Sequence, residues 1–317
     1  MPTSFGSRAV ALFASCAVAA IGLSCSSSSD GATTNTVTTI AVPTTQAPVV
    51  DLPDVVVTYS VLAAVVSELV GGIADVVTII PDGQDPHDFE PSAKDIETIN
   101  DASFIVANGL NFEEGLDDSL KKLQDAGGSV FFVGDHITVR EMSDDDGHDH
   151  GASDPHLWLS PGAMLEMLPT LASELAQALN ADLDAALATA VANITALDTE
   201  LSNIMAVVEK CELVTGHDEL GYFADRYGCE TIGAVVPSST TTSEASAGEL
   251  AELKKVIATQ GAEVLFVSLG TPRAVADQIS KETGVQLVEL STHVMGSSTS
   301  YAEFMRGVAN LIADALK

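Results

Sequence analysis

From residue 54 onward, short apolar runs alternate with longer segments in which apolar residues recur every three or four positions. Runs rich in Val, Ile and Phe predict buried strands, and the periodic segments predict helices. Strand-like runs occupy residues 55–60, 75–80, 103–108 and 129–135, and helix-like segments occupy residues 61–72, 92–100 and 112–126. This alternation predicts a parallel sheet flanked by helices.

The same alternation returns after residue 211. Strand-like runs occupy residues 212–215, 229–236, 262–268 and 285–290, and helix-like segments occupy residues 245–260, 272–283 and 301–317. We therefore predict an α/β fold with two lobes, residues 54–180 and 211–317, each a parallel sheet flanked by helices.

One long helix is predicted between the two lobes. Apolar residues spaced by three and four positions form a single face: Leu183, Leu187, Val191, Ile194, Leu197, Leu201, Ile204 and Val208. Neither Pro nor Gly interrupts residues 181–210. At 1.5 Å per residue this helix would be roughly 45 Å long, long enough to join both lobes.

The N-terminus has the pattern of an exported protein. Arg8 precedes an apolar run at residues 9–23, which is too short to span a membrane comfortably and predicts a cleaved signal peptide at residues 1–24. Cys25 resembles the lipidated cysteine of bacterial lipoproteins, although Gly22 stands where Leu is usual, and Cys16 is an alternative. Residues 25–53 are rich in Ser, Thr and Pro and predict a tether on the outer face of the cell membrane.

The charge of the chain narrows the choice of partners. There are 45 acidic and 13 basic residues, giving a formal net charge of −32. This balance argues against a nucleic-acid partner, because such proteins need basic patches. A cationic ligand suits it better, although an acidic surface also keeps an exported protein soluble. We expect the chain to act as a monomer.

Two further cysteines begin neighbouring strand-like runs. Cys211 and Cys229 flank one short predicted helix, so the starts of the two strands can lie side by side. In an exported protein this arrangement favours a disulfide over a thiolate metal site.

Four of the seven histidines follow predicted strands. They are His87, His156, His217 and His293. Ligands of parallel sheets bind at the carboxyl ends of the strands, so a cleft between the lobes would gather these side chains. Any one of them is more simply an exposed or hydrogen-bonded loop residue, but four at equivalent positions indicate a metal site.

Three of these histidines lie in segments that resemble a known family. D-P-H-D-F-E-P-S around His87, D-P-H-L-W-L-S-P around His156 and T-G-H-D-E-L-G-Y-F-A-D-R-Y-G around His217 are similar to ligand loops of the TroA-like solute-binding proteins of bacterial zinc and manganese ABC transporters. The resemblance extends from about residue 55 to the C-terminus. It implies metal ligation by these three histidines and partnership with a permease and an ATPase.

The fourth ligand departs from the family pattern. Family members usually have Asp or Glu at this position, whereas this chain has His293, with Glu289, Ser291 or a water as alternatives. Imidazole ligands favour Zn²⁺ over Mn²⁺, so the expected cargo is zinc, with manganese or iron as the alternative. Asp85, Asp154 and Asp218 are candidates to hold the outer imidazole nitrogens.

An acidic loop contributes two more histidines. His148 and His150 lie in D-D-D-G-H-D-H, where zinc-type family members carry a His-rich loop, and the resemblance implies weak accessory metal binding. A solvated loop is the simpler reading. We expect no enzymatic activity, since the sequence has no H-E-x-x-H motif. A zinc hydrolase and a surface adhesin are the alternatives from other functional classes.

Overall fold

The computed structural model describes residues 52–142 and 153–317. The predicted signal peptide, Cys25, nearly all of the tether, His148 and His150 lie outside these residues, so the predictions about them remain predictions. Residues from 52 onward belong to one compact unit. Among the described residues, no helix combines the length and apolar character needed to cross a membrane.

The first sheet contains four parallel strands in the order β2-β1-β3-β4. The strands are β1 (Asp54–Val57), β2 (Asp75–Thr78), β3 (Phe104–Ala107) and β4 (Val130–Phe132). The helices between them are α1 (Ser60–Val70), α2 (Ala93–Asp101) and α3 (Asp117–Asp125). At the start of α2, the Ser92 side chain accepts from the Asp95 backbone N–H and the Asp95 side chain accepts from that of Ser92, which fixes the end of the loop that carries His87.

The second sheet has the equivalent order, β6-β5-β7-β8, and is also parallel. Its strands are β5 (Glu212–His217), β6 (Glu230–Val236), β7 (Val264–Val267) and β8 (Gln286–Glu289). Its helices are α6 (Gly221–Tyr227), α7 (Ala247–Gln260), α8 (Arg273–Thr283) and α9 (Tyr301–Ala315). The predicted fold class, two parallel sheets flanked by helices, is confirmed.

In both sheets the strand order reverses beside the first strand. The strand β1 lies between β2 and β3, and β5 lies between β6 and β7. A crevice opens beyond the carboxyl ends of the strands at such a reversal, because the following connections leave toward opposite sides. The ends of β1 and β5 are therefore the expected places for a ligand.

The long helix predicted at residues 181–210 is α5 (Asp184–Met205), which begins later and ends earlier than predicted. A helix that was not predicted, α4 (Pro161–Leu179), precedes it and packs against it. Helix α5 has 22 residues and is roughly 33 Å long. It begins after a short turn in which the Asp182 side chain accepts from the Asp184 backbone N–H, and it ends where the chain turns toward β5.

Helix α5 belongs to a core shared by both sheets. It packs against α1, α4 and α9, and α9 also packs against α1. One apolar cluster includes Val56 and Phe131 of the first sheet, Leu197 of α5 and Phe266 of the second sheet. Separating the two sheets around α5 would expose this apolar cluster to water, so we expect only a limited opening between the sheets.

A disulfide joins Cys211 and Cys229. These residues directly precede β5 and β6, which pair in parallel register from Glu212 and Glu230. The bond therefore ties the starts of two strands, at the end of the sheet opposite to His217.

Candidate metal site

Four buried histidines converge where the strands end. One ligand atom from each of His87, His156, His217 and His293 lies within 4.8 Å of the others. The Nε2 atom of His156 is 3.4 Å from that of His87 and 3.2 Å from that of His217. A tetrahedral zinc ion with Zn–N bonds of about 2.0–2.1 Å separates its ligand nitrogens by about 3.3 Å. The two distances from His156 therefore fit such an ion, and all four donors lie within 4.8 Å of one another.

Each histidine is placed by a short, well-defined piece of backbone. His87 lies in a single helical turn at Pro86–Asp88, and its backbone N–H donates to Asp85 Oδ1 over 3.1 Å. His156 directly precedes a similar turn, Leu157–Leu159. His217 is the last residue of β5, and His293 follows β8. Each sheet thus contributes two histidines that lie at or after the ends of its strands, as predicted.

The nitrogen that faces the cluster is defined for each ring. His87, His156 and His217 present Nε2 to one another. The Nδ1 atom of His293 is 3.0 Å from the Thr292 hydroxyl, which leaves its Nε2 buried without a hydrogen-bond partner. A buried polar atom without a partner costs about 1–3 kcal/mol, and ligation to a metal would remove that cost.

Burial keeps these rings neutral. It lowers the pKa of His87, His217 and His293 well below the usual 6.5 of histidine, and the nearby His156 lowers the pKa further. Metals bind the neutral imidazole. At neutral pH these three rings are therefore ready to accept a metal without first losing protons.

Asp154 holds the outer side of the His156 ring. Its Oδ1 is 2.9 Å from His156 Nδ1 and also accepts the His156 backbone N–H over 2.9 Å. Its Oδ2 lies 3.3 Å from an Arg140 guanidinium nitrogen. Asp154 was one of three predicted carboxylates, and it is the one that contacts a ring nitrogen in this way. Asp85 instead accepts from the His87 backbone and from the Thr241 hydroxyl.

Glu219 occupies the place predicted for Asp218. Its Oε1 is 3.8 Å from His217 Nδ1, and its Oε2 is 3.6 Å from His293 Nδ1. The Ser268 and Thr292 hydroxyls each donate to it over 2.5 Å. Burial raises the pKa of this carboxyl to about 7. Sequence reasoning missed Glu219; its position two residues after a histidine that ends a strand was the available signal.

Aromatic rings close the site on one side. Phe112 packs edge-on against His87 with 4.9 Å between ring centroids, and it packs against Trp158 at 4.5 Å. The Trp158 indole N–H donates to the Thr292 carbonyl over 2.7 Å. These rings exclude water from the cluster and fix the backbone beside His293.

The alternative fourth ligands lie elsewhere. Glu289 has an 83% exposed side chain and pairs with Arg273 at 2.9 Å. The Ser291 hydroxyl donates to the Val294 carbonyl. Neither belongs to the group of converging ligand atoms, whereas His293 does.

Comparison with known proteins identifies the family of this chain. Residues 55–315 match the family ZnuA, zinc-uptake complex component A periplasmic. The chain belongs to this family. Among solved structures, a ZnuA deletion mutant with zinc bound aligns with a TM-score of 0.73 and 26% identity, covering 84% of this chain and 99% of that one.

Two curated relatives of this chain are named for different metals. The zinc-binding protein AdcA of Streptococcus pyogenes is 29% identical over 260 residues, covering 75% of this chain and 50% of AdcA. The manganese-binding lipoprotein MntA of Halalkalibacterium halodurans is 24% identical over 259 residues, covering 78% of this chain and 82% of MntA. The chain thus spans about half the length of AdcA.

Proposed function

We propose that this chain captures Zn²⁺ outside the cell membrane and delivers it to a membrane permease driven by an ATPase. The observation that carries the proposal is the set of four imidazole donors, whose ligand atoms lie within 4.8 Å of one another. Tetrahedral nitrogen ligation suits zinc, whereas manganese prefers oxygen donors. His87, His156, His217 and His293 are the proposed ligands.

The proposed transport role rests on membership of this family. Its description names a component of a zinc-uptake complex, so the proposed partners are an ABC permease and its ATPase. We further propose that Cys25 carries a lipid anchor, that the tether holds the binding unit to the membrane surface, and that His148 and His150 bind metal weakly. The lipoprotein names of relatives such as MntA support the anchor.

A manganese receptor is the second candidate, because MntA carries that metal in its name. The donor set argues against it, since none of the four converging side chains contributes oxygen. A hydrolytic zinc centre is disfavoured for another reason. Catalytic zinc keeps a coordination position for water, whereas here four histidines supply four donors and are at most 2% exposed.

The test is metal content and competition between Zn²⁺ and Mn²⁺ for wild type, His293→Ala and His136→Ala. His136 stacks on Phe131 and is not part of the cluster, so it is the matched control. We expect one tightly bound zinc in wild type, at least roughly tenfold weaker zinc binding in His293→Ala because one of four donors is lost, and no change in His136→Ala. Preference for Mn²⁺, or indifference to His293→Ala, would contradict the proposal.

A further inference from the structure

Glu219 stands out as a fully buried carboxylate at the metal site that is not itself one of the converging ligands. It is 1% exposed, and its oxygens lie 3.8 Å from Nδ1 of His217, which ends β5, and 3.6 Å from Nδ1 of His293, which follows β8. The rings of His217 and His293 lie nearly parallel, 18° apart with centroids separated by 5.4 Å. The carboxylate therefore lies beside both rings without a direct hydrogen bond to either, and Nδ1 of His217 is buried without a partner.

The carboxylate is itself held in place from two directions. Ser268, just after β7, donates to Oε1, and Thr292, beyond β8, donates to Oε2. The Thr292 hydroxyl is also 3.0 Å from His293 Nδ1. This hydroxyl connects the imidazole N–H to the carboxylate, which fixes the proton on Nδ1 and turns the Nε2 lone pair toward the cluster.

We propose that Glu219 is a positioning residue that orients the His293 ring through the Thr292 hydroxyl, so that the Nε2 atom of His293 faces the cluster. This inference rests on the proposed zinc site. It assigns to Glu219 an indirect contribution through the rings, without a bond to the metal.

The test compares Glu219→Gln with Glu113→Gln. Glu113 is an equally buried carboxylate with a similarly raised pKa of about 7, and it too accepts from a threonine hydroxyl, that of Thr58. It lies at the turn after β3 and accepts from the Asn108 and Gly109 backbone N–H groups instead of facing a histidine. Comparing the two variants distinguishes the loss of any buried carboxyl group from the loss of the carboxyl group beside His217 and His293.

Zinc affinity is measured by competition with a chromophoric chelator at pH 7.5, together with the absorption spectrum of the Co²⁺ form. We expect Glu219→Gln to weaken zinc binding about 10- to 100-fold and to shift the Co²⁺ ligand-field bands. Glu113→Gln should leave both close to wild type. Urea unfolding of the metal-free variants shows whether each remains folded.

Thr292 provides a second, independent variant. Thr292→Val removes the hydroxyl between His293 and Glu219 but preserves the side-chain shape, so it should weaken zinc binding and shift the Co²⁺ bands. Thr292→Ser restores the hydroxyl and should recover most of the affinity. A general loss of packing would not be rescued in this way.

The outcomes separate this inference from the proposed function. If wild type binds zinc tightly while Glu219→Gln binds equally tightly with an unchanged Co²⁺ spectrum, the role of Glu219 is wrong and the zinc site stands. Equal losses in Glu219→Gln and Glu113→Gln also overturn it. If wild type itself fails to bind zinc, the proposed function fails first.

Discussion

The Nδ1 atom of His156 lies 2.9 Å from Oδ1 of Asp154, two residues earlier in the chain. The same oxygen accepts the His156 backbone N–H, so one carboxylate fixes both the ring and the backbone of this ligand. Pro155 between them restricts the backbone that makes this double contact possible. His156 is also the ring whose Nε2 approaches both His87 and His217.

We therefore expect Asp154→Asn to weaken zinc binding by about 10- to 100-fold, because the ring loses its anionic hydrogen-bond acceptor. Competitive zinc titration measures this change. The control is Asp225→Asn, which removes the other carboxylate partner of Arg140, at 2.8 Å, but does not contact His156. Equal losses in the two variants would show that Arg140, not the His156 contact, accounts for the effect.

Asp82 links the first sheet to the loop that follows His293. Its carboxylate accepts from the Met295 backbone N–H at 2.8 Å, the Gly296 backbone N–H at 3.0 Å and the Ser60 hydroxyl at 2.6 Å. Any opening between Asp82 and this loop must break the two backbone bonds. The four histidines are nearly inaccessible to solvent, so release of a metal requires some opening.

Asp82→Ala should accelerate zinc release by about fivefold to 150-fold, because two hydrogen bonds worth roughly 0.5–1.5 kcal/mol each are lost. Stopped-flow release into excess chelator measures the rate. Asp101→Ala, an exposed carboxylate at the end of α2, is the control. An unchanged release rate in Asp82→Ala would mean that this contact does not hold the site closed.

Zinc affinity should depend on pH in a way set by the buried rings. The pKa values of His87, His217 and His293 are lowered below 6.5, so protons do not compete with the metal for these rings near neutral pH. We expect little change in affinity between about pH 8 and 6.5, and a progressive loss only at more acidic pH than the ordinary histidine pKa of about 6.5 would give. Chelator competition at each pH gives the profile. A loss of affinity that already begins above about pH 7 would show that burial does not keep these rings neutral.

Glu113 should make the metal-free protein less stable as pH rises. Burial raises the pKa of its carboxyl from 4.5 to about 7, so between these values the folded state holds a proton that the unfolded state releases. Its stabilising contribution is complete below pH 4.5 and is lost as pH increases through about 7. The full change is about 3 kcal/mol in the free energy of unfolding.

Glu113→Gln, which carries no titratable group, should remove this part of the pH dependence. The free energy of unfolding in urea is measured for wild type and variant at pH 5, 6, 7 and 8. We expect the variant to gain stability relative to wild type as pH increases. Glu263→Gln, at an exposed carboxyl just before β7, is the control. A difference that is constant with pH would show that Glu113 keeps an ordinary pKa in the fold.

Much of this architecture could be predicted from local patterns. The strands and the positions of His87, His156, His217 and His293 after them follow from apolar runs and from the rule that ligands gather at the carboxyl ends of parallel strands. The helix bounds were less accurate, because apolar spacing extends beyond the ends of a helix. Leu183 and Val208 continue the α5 pattern but lie outside α5, and both pack against the shared core. No element was predicted for α4, whose interior Pro169 is unusual in a helix.

Glu219 could not be assigned from sequence for a different reason. Its role depends on Ser268 and Thr292, which are 49 and 73 residues away in the chain and meet it only in the folded sheet. Adjacent Asp218 was an equally good candidate in the sequence. Which of the two carboxylates faces the rings is decided by the direction in which the backbone leaves β5.

The central claim is that four imidazoles hold the metal. Zinc K-edge X-ray absorption on the zinc-loaded protein tests it most directly, because the fitted shell gives the number and type of ligands. We predict four nitrogen ligands at about 2.0–2.1 Å, with outer-shell scattering from four imidazole rings. A shell with three imidazoles and an oxygen donor, or with five or six ligands, would contradict the four-histidine site.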